Sequence, residues 1–157
     1  MLAVIGCGNA ARSDDAAGVE VLQRLRARIG SADDRLQLID AGTAGMEVMF
    51  KVRGADRVII VDACRSGSEP GAVFRVPGSE MQTPPQHSFT LHGLRWDHAL
   101  YAGCQMYGEN FLRDVEVFLI EVQSIDFGLG LSEPVERGVE RVVSEIEQLL
   151  GEHVGTA

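Results

Sequence analysis

An apolar strand that leads at once into a glycine turn, two acids and a helix is the feature that most constrains this chain. Residues 2–5 have the composition of a buried strand, and Gly6 and Gly8 permit a tight turn beyond its carboxyl end. A helical pattern follows, with apolar residues recurring on one face and Gly30 as its stop. The paired acids Asp14 and Asp15 are therefore expected just above the carboxyl end of the first strand, where open α/β sheets place their ligand sites.

The rest of the chain continues the alternation of strands and helices. Further strands are predicted at residues 36–39, 58–61, 71–76 and 115–121. Helices are predicted from a turn at residues 41–45 to Gly54, over residues 93–107, and from Ser132 to Gly151. The order predicts an α/β fold, a three-layer α/β/α domain with a mostly parallel twisted sheet. We expect one domain over residues 1–151 and a frayed tail at residues 152–157.

Composition narrows the class of protein and of partner. The 157 residues are 45% hydrophobic and 24% charged, as in ordinary globular domains with a single core. A formal net charge of −9, from 14 basic and 23 acidic residues, argues against a nucleic-acid partner. No apolar run approaches the roughly 20 residues of a membrane span, and a strand at residue 2 leaves no room for a signal peptide. A cytoplasmic protein without a membrane partner is the expectation.

Cysteine usage points to a reduced chain. Cys7, Cys64 and Cys104 are few, widely spaced and without a Cys-x-x-Cys pair. Neither a disulfide framework nor a structural zinc site is therefore predicted, and buried reduced thiols are expected. A Cys64 nucleophile close to Asp62 is a second possibility.

The glycine turn also satisfies a relaxed nucleotide-binding pattern. Gly6, Gly8 and Ala11 match Gly-x-Gly-x-x-Gly/Ala, and Asp40 ends a second strand where a ribose-binding acid would belong. A pyrophosphate, however, binds a helix N-terminus through exposed amides and the helix dipole, and the two acids would bring negative charge to that place. A nucleotide-binding regulatory module that uses residues 6–11 is kept as an alternative function.

Three side chains could converge on the carboxyl edge of the sheet. Asp15 lies above the first strand, Asp62 ends the β-branched run at residues 58–61, and His92 precedes the next predicted helix. Carboxylates with an imidazole suit a borderline divalent metal such as nickel or zinc. Of the other acids, Asp14 is expected to cap the first helix, and Asp40 to brace the turn at residues 41–45.

The chain resembles the NiFe hydrogenase maturation proteases, endopeptidases that remove a C-terminal extension from the hydrogenase large subunit after nickel insertion. The resemblance is carried by GCGNAARSDDAAGV at residues 6–19, DAGTAGMEVM at 40–49, VIIVDA at 58–63, the histidine of TLHGL at 90–94, and GLGLSEPV at 128–135. These segments occur in order along almost the whole chain. In that family, the residues that match Asp15, Asp62 and His92 bind metal in the cleft, and this implies the same catalytic and metal-contacting set here.

The resemblance also implies the cofactor and partner. The metal would be nickel held by the substrate, with no permanently bound cofactor, and the partner would be a NiFe hydrogenase large-subunit precursor processed by a monomeric protease. This chain has Asp15 where some relatives have Glu, and Ala16 where many have Gly. The shorter acid changes the reach toward a metal. Another metal-dependent hydrolase that uses the same cleft is the alternative enzyme.

Overall fold

The computed structural model describes residues 1–30, 34–43, 50–79, 96–108, 111 and 114–155. Its strands are β1 (Leu2–Cys7), β2 (Leu36–Gly42), β3 (Arg57–Cys64), β4 (Val73–Pro77) and β5 (Val115–Glu121). Its helices are α1 (Ala17–Ile29), α2 (Trp96–Tyr107) and α3 (Glu133–Gly155), and a 3-10 helix, Ser13–Ala16, precedes α1. None of these described helices is long and apolar enough to cross a lipid bilayer.

The five strands form one sheet in the order β2-β1-β3-β5-β4. The pairs β1–β2, β1–β3 and β3–β5 are parallel, whereas β4 runs antiparallel to β5 at the edge. The predicted α/β fold with a mostly parallel sheet is therefore confirmed. The link between β3 and β4 is short, so β4 begins at the edge of the sheet at which β3 ends and runs back in the opposite direction, beyond β5. A parallel β4 would need a longer crossover to return to the other edge.

Alternate residues of the central strands belong to two separate apolar clusters. One cluster joins Val4, Ile59 and Phe118 to the buried faces of α1 and α3. The other joins Ile5 and Ile60 to Ala99 and Leu100 of α2. Because successive side chains of a strand point to opposite faces of a sheet, helices cover both faces and the domain has the three layers that were predicted.

The last helix is longer than predicted. It continues past Gly151 to Gly155, so the helix end expected at Gly151 is wrong. A glycine inside an exposed helix costs only about 1 kcal/mol, which the packed part of this long helix offsets. The helix predicted between residues 41–45 and Gly54 falls mostly outside the described residues.

Glycines let the start of α1 approach the sheet at backbone distance. A Cβ placed on Gly18 would lie 2.4 Å from the carbonyl oxygens of both Cys7 and Val61. A Cβ on Gly6 would lie 2.4 Å from the carbonyl oxygen of Gly18, and one on Gly8 would lie 1.9 Å from that of Asp15. No larger residue fits these contacts without moving the backbone, so they determine the position of the 3-10 helix above β1 and β3.

Asp14 holds the loop before α3 and does not cap α1. Its carboxylate, fully buried, accepts hydrogen bonds from the amides of Gln123, Ser124 and Ser132 at 2.7–3.0 Å, and from the Ser132 hydroxyl at 2.8 Å. No side-chain cap is found at the start of the 3-10 helix or of α1. The predicted capping role is wrong because this carboxylate accepts its hydrogen bonds from amides far away in the sequence and not from those of the following helical turn.

We predict that Asp14→Ala lowers the free energy of unfolding by about 3 kcal/mol, because it leaves several buried donors without their acceptor. Urea unfolding followed by circular dichroism measures this change. The matched control is Asp34→Ala, which removes an exposed carboxylate and should change stability by less than about 0.5 kcal/mol. Equal stability of the two variants would contradict the structural role of Asp14.

Candidate active site

Asp15 lies on the 3-10 helix that the glycine contacts press against the sheet. Its side chain is only 3% exposed. Its backbone carbonyl faces Gly8, the first residue beyond β1, and its Oδ2 accepts a hydrogen bond from the amide of Asn9 at 3.1 Å. The strand, the turn and the first helical turn thus hold this carboxylate at the carboxyl edge of β1.

Asp62 lies at the same edge, on the neighbouring strand β3. Val61 is in register with Gly6, so Asp62 follows alongside Cys7. Asp62 shares one face of β3 with Ile60 and Cys64, which belong to the cluster beneath α2. It is fully buried. Its Oδ1 accepts a hydrogen bond from the amide of Ala63 at 2.8 Å. Two of the three predicted site residues are therefore buried carboxylates at the carboxyl edge of the sheet, one on the 3-10 helix beyond β1 and one near the end of the adjacent parallel strand β3.

His92, the third predicted residue, lies outside the described residues. It precedes α2, which begins at Trp96 and covers the face of the sheet toward which Asp62 is directed. Within the described part of the chain, no group of three or more histidine, cysteine, aspartate or glutamate side chains is arranged to hold a metal ion. A ligand set of three thus depends on a residue such as His92 or on donors from a partner.

The two thiols beside Asp62 remain protonated. Burial raises the pKa of Cys7 well above its usual value, and the negative charges of Asp62 and Asp40 raise it further. Burial also raises the pKa of Cys64, as do its hydrogen bond to Glu121 and the charges of Glu121 and Asp62. Because the thiolate is the nucleophilic form of cysteine, the structure does not support the possibility of a Cys64 nucleophile.

Glu121 is a buried acid that the sequence analysis missed. It ends β5, is 2% exposed and lies in register with Cys64. Its carboxylate accepts hydrogen bonds from the amides of Ser66 and Gly67, from the Ser66 hydroxyl at 2.7 Å and from the Cys64 thiol at 3.3 Å. It therefore organises the loop after β3. The sequence pattern that identified Asp62, an acid at the end of an apolar run, would also have identified Glu121.

Asp40 lies within β2 and stabilises the start of the turn predicted at residues 41–45, of which residues 44 and 45 lie outside the described residues. Its Oδ1 accepts a hydrogen bond from the amide of Gly42 at 2.9 Å, and its side chain is exposed. This short loop-back contact is the usual way in which an aspartate stabilises a turn. The charge of Asp40 nevertheless contributes to the raised pKa of Cys7, so Asp40 lies near this thiol. Three acids, Asp15, Asp40 and Asp62, therefore lie along this edge of the sheet.

The glycine turn offers little to a phosphate group. The amides of residues 8, 9, 11, 12, 13, 14 and 15 all donate to acceptors of the protein itself. Two of these acceptors are the carbonyls of Ser124 and Gly128, which belong to the loop before α3. A nucleotide-binding loop presents its amides to the ligand, so the structure does not support the nucleotide-binding alternative.

Comparison with known proteins identifies the family of the chain. The model of a family described as hydrogenase maturation protease matches residues 19–149. The hydrogenase 2 maturation protease of Escherichia coli is 28% identical, with 95% of this chain and 90% of that protein covered. The hydrogenase expression/formation protein HoxM of Cupriavidus necator is 33% identical, with 96% of this chain and 74% of that protein covered.

Solved structures share the fold. An endopeptidase from E. coli, solved in solution, has a TM-score of 0.78 and 25% identity over 97% of this chain and 93% of its own. The E. coli hydrogenase-maturating endopeptidase HybD has a TM-score of 0.77 at 23% identity, covering 97% and 93% of the two chains. The chain therefore belongs to the hydrogenase maturation proteases, a family of endopeptidases.

Proposed function

We propose that this protein removes the C-terminal extension of a NiFe hydrogenase large-subunit precursor after nickel has been inserted. Asp15, Asp62 and His92 would contact the nickel that the precursor carries. The observation that supports this most directly is the pair of buried carboxylates, Asp15 on the 3-10 helix beyond β1 and Asp62 on the adjacent strand β3, in a member of this protease family. The protease would act as a cytoplasmic monomer and hold no resident metal.

Electrostatics favour a cation at this edge. Asp15 and Asp62 are almost completely removed from water. Buried carboxylates are costly unless positive charge or hydrogen bonds compensate them. A divalent ion carried by the substrate would add such compensation when the complex forms, and an imidazole from His92 would add a nitrogen donor of the kind nickel accepts.

The hydrolysis itself needs only a water molecule and a base. In our proposal, nickel contact positions the scissile peptide beside the carboxylates. The attacking water gives a proton to a base, its oxygen bonds to the carbonyl carbon, and the C–N bond breaks as the leaving nitrogen takes up a proton. Nickel bound to the substrate can polarise the carbonyl or the water. Substrate recognition and activation would then depend on the same ion.

We predict that Asp62→Asn abolishes processing while the domain stays folded. The change keeps size and hydrogen-bonding capacity but removes the negative charge that contacts a cation, so cleavage should slow by at least about a hundredfold. Intact-mass spectrometry of a nickel-loaded precursor measures the loss of its C-terminal peptide. Asp114→Asn, an exposed acid at the opposite edge of the sheet, is the matched control and should cleave normally. Full activity of a folded Asp62→Asn variant would contradict the assignment.

We also predict that cleavage requires nickel in the precursor. Three candidate protein ligands leave coordination positions for donors from the partner, so the ion should act as a bridge between the two proteins. Matched precursors, with and without nickel, are incubated with the protease and compared by mass spectrometry. We expect the extension to be lost from the nickel-loaded form alone. Equal cleavage of both forms would refute nickel recognition while leaving the protease activity in place.

A further inference from the structure

Two large apolar side chains stand almost fully in solvent on the loop before α3. Phe127 is 84% exposed and Leu129 is 89% exposed, more than any other large hydrophobic residue in the described part of the chain. They flank Gly128 within a seven-residue stretch that contains two further apolar residues, Ile125 and Leu131, both packed against the core. An exposed apolar pair on an otherwise strongly acidic protein is typical of a binding surface rather than of a solvent-facing loop.

The backbone of this loop is held firmly. Gly128 forms a parallel bridge with Arg12, in which the Gly128 amide donates to the carbonyl of Ala11 and the Ser13 amide donates to the carbonyl of Gly128, both at 3.0 Å. The Ser13 hydroxyl also donates to the carbonyl of Asp126 at 2.7 Å. The exposed side chains are thus presented by a fixed backbone, which lowers the entropy lost when a partner binds.

Arg12 supports the aromatic ring from one side. Its guanidinium carbon lies 5.2 Å from the centre of the Phe127 ring, and its Nε donates to the carbonyl of Ile125 at 3.2 Å. A cation over an aromatic face is attracted to the ring, so this contact restrains Phe127 while most of its surface stays in solvent. The ring is therefore oriented before any partner arrives.

The loop adjoins the candidate active site. The bridge connects it to residues 11–13, and Asp15 follows two residues after Ser13 in the same 3-10 helix. We propose that Phe127 and Leu129 form a docking ridge for an extended apolar segment of the hydrogenase precursor next to its scissile bond. This inference rests on the proposed function, because an endopeptidase must hold its polypeptide substrate on the surface beside the catalytic groups.

Both backbone hydrogen-bonding groups of Gly128 are used by the bridge to residues 11–13, and the chain bends at the residues on either side of it. A partner at this loop would therefore be held mainly by the exposed side chains of Phe127 and Leu129.

The test compares Phe127→Ala, Leu129→Ala and the double variant in steady-state cleavage of a nickel-loaded precursor. Each single change should raise KM about five- to twentyfold, as expected for an exposed residue that becomes buried in an interface, with kcat within about twofold of wild type. Phe127→Leu, which keeps an apolar side chain, should recover most of the loss. Met106→Ala, which removes a 61% exposed residue at the end of α2, is the matched control and should leave both constants unchanged.

Thermal unfolding checks that the variants are folded, and their midpoints should equal that of wild type because both side chains are exposed. A wild-type KM in the double variant would overturn the docking ridge while leaving the proposed function intact, and so would a loss confined to kcat. Failure of the wild-type protein to cleave would overturn the proposed function. In that case equal affinity of the wild-type and double-variant proteins for the precursor, measured by biolayer interferometry, would overturn the ridge as well.

Discussion

The close backbone contact between the start of α1 and the ends of β1 and β3 is the constraint on which the rest of the site depends. Gly18 lies between the carbonyl oxygens of Cys7 and Val61, with no space for a Cβ. This contact brings the amino end of α1, the positive end of its dipole, to the edge of the sheet where the acids are gathered. Gly6 and Gly8, which match the pattern of a phosphate-binding loop, make further close contacts with this segment. They therefore help to place carboxylates at this edge.

Neighbouring acids on one short helix have separate tasks. Asp14 is taken up by donors of the loop before α3, whereas Asp15 lies against the turn beyond β1 and accepts from the amide of Asn9. Successive residues of a 3-10 helix point about 120° apart, so two adjacent carboxylates reach different parts of the protein. Asp14 joins the loop before α3 to the 3-10 helix, whereas Asp15 stays at the carboxyl edge of the sheet. The position of Asp15 therefore depends on the contacts that Asp14 makes.

The fold was largely predictable because its signals are local. Apolar runs such as residues 58–61 indicated buried strands, and an acid at a strand end indicated the edge that carries the site. The partners of Asp14 were not predictable, because they come from a loop that the sequence places far away. The direction of β4 was missed because a short run of apolar residues carries no information on its orientation. Glu121 was overlooked although it obeys the same rule as Asp62.

The hydrogen bonds of Asp14 also determine when, during folding, the loop before α3 joins the segment that carries both acids. They join residues 109 to 118 positions apart along the chain. During synthesis, the N-terminal half emerges from the ribosome with β1, the glycine turn and both acids, but without the segment that completes their surroundings. Contacts of such long range form late in folding. The protease therefore cannot complete the contacts of Asp14 until Ser132 has been translated. A chain that ends before this residue would contain both acids without the loop that binds Asp14.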